Sequence, residues 1–199
     1  MKLDTTLFLD FKPVRSTIDE YAAALTKKGR ITPIVREALD KAREVRAEYD
    51  LVFYLAGPLT GVSEEVKLRY KALSELIAAR HDTHTKMFGY APHLYGTDPV
   101  KHPAVTAEEV RDVDYLWAVV VPDGHFNSWE PVAHGNAIEE GWAEAHSIPA
   151  VYLVPQGMLT SRLVRGMHNI VGTITYADFH ADALPQVDVF LGDLEARRR

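Results

Sequence analysis

Hydrophobic positions along the 199-residue chain change their period near residue 50. Before that point apolar residues recur at helical spacing; after it, short apolar runs alternate with amphipathic stretches. In the first part Ser16 or Thr17 can cap a helix whose Ile18, Tyr21, Ala22 and Leu25 share one face, with Lys27, Lys28 and Gly29 as its stop. Thr32 and Pro33 start a second helix that carries Ile34, Ala38, Ala42, Val45 and Tyr49 on one side and ends near Asp50. No low-complexity linker follows. Residues 1–50 are therefore expected as a two-helix extension packed on the main body or on a second subunit, with residues 51–199 as an α/β domain.

The second part reads as strand and helix in alternation. LVFYLAG (51–57) is the first strand, and Ser63 with Glu64 and Glu65 opens a helix that turns Val66, Tyr70, Leu73 and Ile77 inward. A second strand is expected over 86–91, then a long loop, then a short helix over 106–113. The nearly unbroken apolar run DYLWAVVV (114–121) predicts a third, fully buried strand. A helix over 135–146, a strand at PAVYLVP (149–155), a helical turn over 161–166, a strand over 173–176 and a closing helix over 184–196 complete the chain. Five strands in βα alternation imply a right-handed, doubly wound parallel sheet, with its ligand site at the carboxyl ends of the strands.

Composition narrows the partners. Twenty-two Lys and Arg against 28 Asp and Glu give a formal charge of −6, leaving no broad cationic field for a nucleic acid polymer or an anionic membrane. No apolar stretch approaches the roughly 20 residues of a membrane span, and the opening MKLDTTLFLDFKP is unlike a secretory leader, so a cytoplasmic protein is expected. Without Cys there is no disulfide, thiol nucleophile or thiolate metal site, and the nine His form no HExxH-type pair, so neither metal nor cofactor is expected.

Three strand-to-helix junctions carry candidate chemistry. AGPLTG after the first strand places Gly57, Pro58 and Gly61 in a tight turn with the Thr60 hydroxyl, but it is neither a P-loop nor GxGxxG. In HGNAIEEGWAEA, Glu139 falls in the opening turns of a helix, where the dipole would keep it ionised and facing the cleft, as a nucleophile or simply as a first-turn acid. Glu140, about 100° further round, reads as solvated. In SRLVRGM, Ser161 either caps a helical turn or presents its hydroxyl to an anion. Trp117 reads as core, and Trp129, in a polar stretch, as a base-stacking wall.

YLAGPLTG (54–61), the pair Pro92 and His93, and HGNAIEEGWAEAHSIPAVYL (134–153) together resemble the nucleoside 2-deoxyribosyltransferase family and its relatives that hydrolyse nucleotide N-glycosidic bonds. The match runs over roughly residues 51–180. It implies a flavodoxin-like sheet, with Glu139 as the nucleophile and with Tyr54, Gly57, Pro58, Thr60, His93, His134, Gly135 and Asn136 around the substrate. It also implies that Ser161 is offered to a phosphate across a homodimer or higher homo-oligomer with shared sites. Ala133 and Thr106 stand where the family usually has acidic or hydroxyl residues, and Pro58 and Thr60 stand where its hydrolase branch often has Ser and Arg.

N-glycosidic cleavage builds positive charge on the sugar and negative charge on the departing base. A carboxylate under the anomeric carbon answers the first need; His93, Asp112, Asp123 or a water is eligible to protonate the base. With the phosphate-binding residues incomplete, the reading leans to deoxyribosyl transfer between bases, with hydrolysis of a nucleoside 5′-monophosphate, or a non-catalytic nucleotide sensor, as the alternatives.

Overall fold

The computed structural model describes residues 3–57, 62–82, 85–95, 104–129, 134–159 and 162–198. Three helices precede the sheet: α1 (Thr5–Asp10), α2 (Ile18–Lys27) and α3 (Pro33–Glu48). There follow β1 (Leu51–Ala56), α4 (Glu64–Ala78), β2 (Met87–Tyr90), α5 (Pro92–Tyr95), α6 (Ala107–Tyr115), β3 (Gly124–Ser128), α7 (His134–Ala145), β4 (Ala150–Pro155), α8 (Arg162–Arg165), β5 (Ile170–Tyr176) and α9 (Leu184–Arg198). All strand pairs are parallel and the order is β2-β1-β3-β4-β5, the flavodoxin-like arrangement in which the chain reverses direction between β1 and β3.

Alternate residues of β1 feed two cores. Leu51, Phe53 and Leu55 join Phe126, Leu153 and the inner faces of α4 and α9; Val52, Tyr54 and Ala56 join α2, α3, α6 and α7. The helices before the sheet thus pack on the main body, with Leu25, Val35, Leu39 and Val45 buried in the second core. The first helix, α1, was not expected from the sequence. Asp4 caps it by accepting from the Thr6 and Leu7 amides, and Phe8 fills the place where a side chain at Gly124 would stand, since a Cβ there would come within 2.4 Å of the Phe8 ring.

The third strand is the main correction. Residues 114–121 are not a strand: α6 continues from Tyr115 into one wide helical turn over Leu116–Val120, closed by the Val121 amide on the Leu116 carbonyl at 3.0 Å. Its start is fixed by a reciprocal cap, Thr106 Oγ1 accepting from the Glu109 amide (3.2 Å) and the Glu109 carboxylate accepting from the Thr106 amide (2.8 Å). All five residues of the wide turn are buried, so it shows none of the polar alternation that marks a surface helix and imitates a buried strand. The strand that fills the third place is GHFNS, whose polar His125 and Asn127 face inward and are wholly buried.

Candidate active site

The carboxyl ends of β1 and β2 and the opening of α7 meet on one side of the sheet. Tyr54 and Tyr90 are neighbours in register, stacked with ring centroids 6.0 Å apart, and Trp117 of the wide turn stacks on Tyr90 at 4.1 Å. Both tyrosine hydroxyls are buried, and burial raises them far above the phenolic range, as does the negative charge of Glu139 and Asp114 beside them. Gly57 serves this wall by what it lacks: a Cβ there would meet the Tyr70 hydroxyl at 2.0 Å, so the close approach is to α4.

Glu139 is half-buried and faces this tyrosine wall. Desolvation is the largest influence on its carboxyl group and the Asp114 charge the next; the Tyr54 hydroxyl favours the anion and Glu140 opposes it, leaving the group pushed up to about 8. None of the described Lys or Arg side chains offsets these effects. The expectation that the helix dipole keeps Glu139 ionised is thus overturned, because burial beside a second acid outweighs a surface-type dipole effect of about 1 kcal/mol.

Asp114 escaped the sequence reading because it was assigned to a strand. On α6 it lies about 200° from Asp112, so the two acids face opposite ways. Asp112 is turned to the added helices and is held by Arg30 through both oxygens, Nε to Oδ2 at 2.8 Å and Nη2 to Oδ1 at 2.5 Å. Asp123 stands just before β3, at the amino edge of the sheet. It accepts from Arg46 at 2.6 Å, Arg15 at 3.2 Å and the Val52 amide at 2.9 Å. Both candidate proton donors are ion-paired to arginines of the N-terminal segment, contacts that tie it to α6 and the sheet.

Glu140 is also corrected: it is 4% exposed, not solvated. Asn136 Nδ2 donates to its Oε1 at 2.8 Å and the Tyr152 hydroxyl lies against the same carboxyl group, which burial nonetheless pushes up to about 7. Asn136 is thus turned under α7, whereas Gly135 is exposed with open space where a side chain would be. Trp129 is half-buried against Tyr152 and Met158 at the end of β3, and Trp117 is core as expected. His125 donates from Nε2 to the Ala118 carbonyl at 2.6 Å, which anchors the wide turn; burial pushes its pKa down to about 4.

Pro58, Thr60, Gly61, Glu130, Ala133 and Ser161 lie outside the described residues, as do the side chains of His93 and His134. A groove of about 710 Å³ opens between α3 and β2, lined by Ile34, Phe88, Tyr95 and Trp117; it meets the acid cluster only at Tyr90. Among the described residues no helix is long and apolar enough to cross a membrane, and no group of three or more His, Asp or Glu is arranged to hold a metal ion.

No family model matches the chain, and no curated protein matches it. Solved structures do. A CMP N-glycosidase from Clostridium botulinum aligns with a TM-score of 0.52 at 18% identity, over 70% of this chain and 98% of that one. The fold is shared. BlsM, solved in solution, aligns with a TM-score of 0.52 at 24% identity, over 76% and 94% of the two chains. A 2-deoxyribosyltransferase from Bacillus psychrosaccharolyticus aligns at 15% identity and a TM-score of 0.40, over 65% and 88%.

Proposed function

We propose that the protein breaks the N-glycosidic bond of a nucleoside through Glu139 and passes the sugar to a second base. The observation that carries this reading is the placing of Glu139: a carboxyl group at the carboxyl edge of the sheet, set against Asp114 and two buried tyrosines with no described cation to bind it. An acid held this way is costly to the fold and suited to meeting positive charge on a sugar. Sharing of its fold with a CMP N-glycosidase supports the same bond as target.

Two acids that oppose each other's ionisation hold one proton between them. In the reacting form Asp114 carries it and Glu139 is the anion. A Glu139 oxygen bonds to the anomeric carbon as the carbon–nitrogen bond breaks, and the departing base takes the proton from Asp114. The products of this step are a glycosyl ester, the free base and an Asp114 carboxylate. A second base then attacks the anomeric carbon, gives its N–H proton to Asp114 and releases Glu139. The tyrosine wall keeps water from the ester. Pro58 and Thr60, standing in the sequence where the hydrolase branch often has Ser and Arg, favour a nucleoside without a 5′-phosphate. A second reading, hydrolysis of a nucleoside 5′-monophosphate, draws on the N-glycosidase likeness and on Arg162 and Arg165 in α8, which adjoin Ser161 in the sequence.

Chromatography of nucleosides and 5′-monophosphates, incubated with and without a second base, decides between them. An exchanged nucleoside is the expected product; a free base formed without acceptor supports hydrolysis; binding with no product in any mixture would leave the fold as a sensor and overturn the reading. For a site shared in a cytoplasmic homodimer, mixing Glu139→Gln with Ser161→Ala protein should restore turnover, and no rescue after demonstrated subunit exchange would refute sharing.

A further inference from the structure

The groove between α3 and β2 is left unused by the proposed chemistry. Its volume of about 710 Å³ is in the range of sites that bury a drug-sized molecule, and a nucleobase alone would fill a small part of it. One wall is aromatic. Phe88 of β2 and Tyr95 of α5 have ring centroids 5.5 Å apart, Tyr90 is 5.7 Å from Tyr95, and Trp117 closes the floor by stacking on Tyr90. The facing wall is aliphatic, made by Ile34 and Ala38 of α3. Tyr95 is 52% exposed and Phe88 and Ile34 are half-buried, so among the described residues apolar surface is left open along the groove.

Charge gives the character of an occupant. The rim of α3 carries Arg36 and Lys41 against Glu37, Asp40 and Glu44, all exposed, and Lys41 and Asp40 are already paired with Glu44 and Arg43. Neither a phosphate nor an ammonium group would find a field of opposite sign there. An uncharged apolar group suits it. The inner end differs: the Tyr90 hydroxyl is buried without a hydrogen-bond partner among the described residues, a cost that a polar atom of a ligand would remove. Tyr90 also stacks on Tyr54, which stands beside Glu139. The groove thus leads from α3 to the ring next to the reacting carboxyl group.

We infer that the groove takes a large apolar substituent on the base of the substrate, so that the preferred class is nucleosides of modified bases, with the base at Tyr90 and Tyr54 and its arm between Tyr95 and Ile34. The inference rests on the proposed N-glycosidic chemistry for the base and on the groove for the arm. It also gives α3 a task. The resemblance to deoxyribosyltransferases spans roughly residues 51–180, so the wall of Ile34 and Ala38 is an addition that sets which bases this chain accepts.

Binding of free bases tests this without turnover. Calorimetric titration with adenine and with N6-benzyladenine should show the benzyl compound binding ~10- to 100-fold more tightly, the gain expected from burying one phenyl ring. Its benzyl protons should give nuclear Overhauser effects to the Ile34 δ-methyl group, whose signal is identified by its loss in Ile34→Val. Ala38→Trp, which fills the groove, should bring the two affinities together; Ile34→Ala, which adds no bulk, should narrow the gap by ~3- to 10-fold. Equal affinity of the two bases for the unaltered protein, or a benzyl advantage that survives Ala38→Trp in folded protein, would overturn the inference. Deoxyadenosine and its N6-benzyl derivative separate it from the parent reading. A benzyl advantage in a protein that cleaves neither nucleoside would keep the groove as an apolar ligand site and refute the proposed function alone. Cleavage of both with equal kcat/KM, and equal affinity for both bases, would keep the function and refute the groove.

Discussion

The two edges of the sheet treat their acids in opposite ways. At the amino edge Asp123 sits between Arg15 and Arg46, and on the outer side of α6 Asp112 is gripped by Arg30; every oxygen is matched to a donor. At the carboxyl edge Glu139 lies beside the Asp114 charge and the Tyr54 hydroxyl, and Glu140 beside Asn136 and the Tyr152 hydroxyl. The difference is in what each arrangement does to the proton. Cations hold an acid as a permanent anion and make it a fastener, whereas burial beside a like charge leaves it able to gain and lose a proton near neutrality. Asp112 and Asp114, two residues apart on one helix, face opposite ways, the first toward Arg30 and the second toward Glu139.

Substitutions should separate the two classes. Glu139→Gln carries the largest expected effect, a loss of ~10⁴-fold or more in turnover with the fold intact by circular dichroism. Asp114→Asn should cost ~10²- to 10⁴-fold, mostly in kcat, and should lower the Glu139 midpoint because the nearer like charge is gone. Asp112→Ala should do the reverse: about 1–3 kcal/mol of stability lost in denaturant titration, because the partly buried Arg30 loses its two-oxygen partner and keeps the exposed Glu108, with kcat little changed in the molecules that remain folded. Turnover abolished by Asp112→Ala in folded protein would break the division.

Smaller, and spread over pH, is the effect on stability. Between about 4.5 and 8 the fold binds a proton at Glu139 that the unfolded chain has released, and Glu140 adds to this up to about 7, so stability should fall as pH rises across that window. His125 acts from the other side. Between 6.5 and about 4 the unfolded chain takes a proton that the fold refuses, which offsets part of the gain from the two acids down to about 4.5 and makes stability fall as pH drops below that. Thermal melts should trace a dome, with Glu139→Gln flattening its alkaline side alone.

Much of this architecture could be read from residue order. The apolar runs at β1, β2, β4 and β5 and the inward faces of α4 and α9 appear where hydrophobic period places them. The error at β3 has a single cause, a helix buried on all sides beside a strand with polar inward residues, so that each imitates the other. From it followed the oversight of Asp114. Glu140 was misplaced for another reason: helix periodicity does not say that two successive residues both turn inward when the helix lies in a cleft between sheet and neighbour. Signals for these existed in the capping pair Thr106 and Glu109, which starts a helix too strong to stop at Val113.

The central claim is that a Glu139 oxygen bonds to the sugar. It is tested most directly by mixing the protein with a slowly turned-over nucleoside, quenching in acid, and weighing the peptide that contains residues 134–145. One added pentosyl mass on that peptide, absent in Glu139→Gln and lost on adding a second base, is the expected result. Release of free base with the peptide unmodified at every time point would contradict the account.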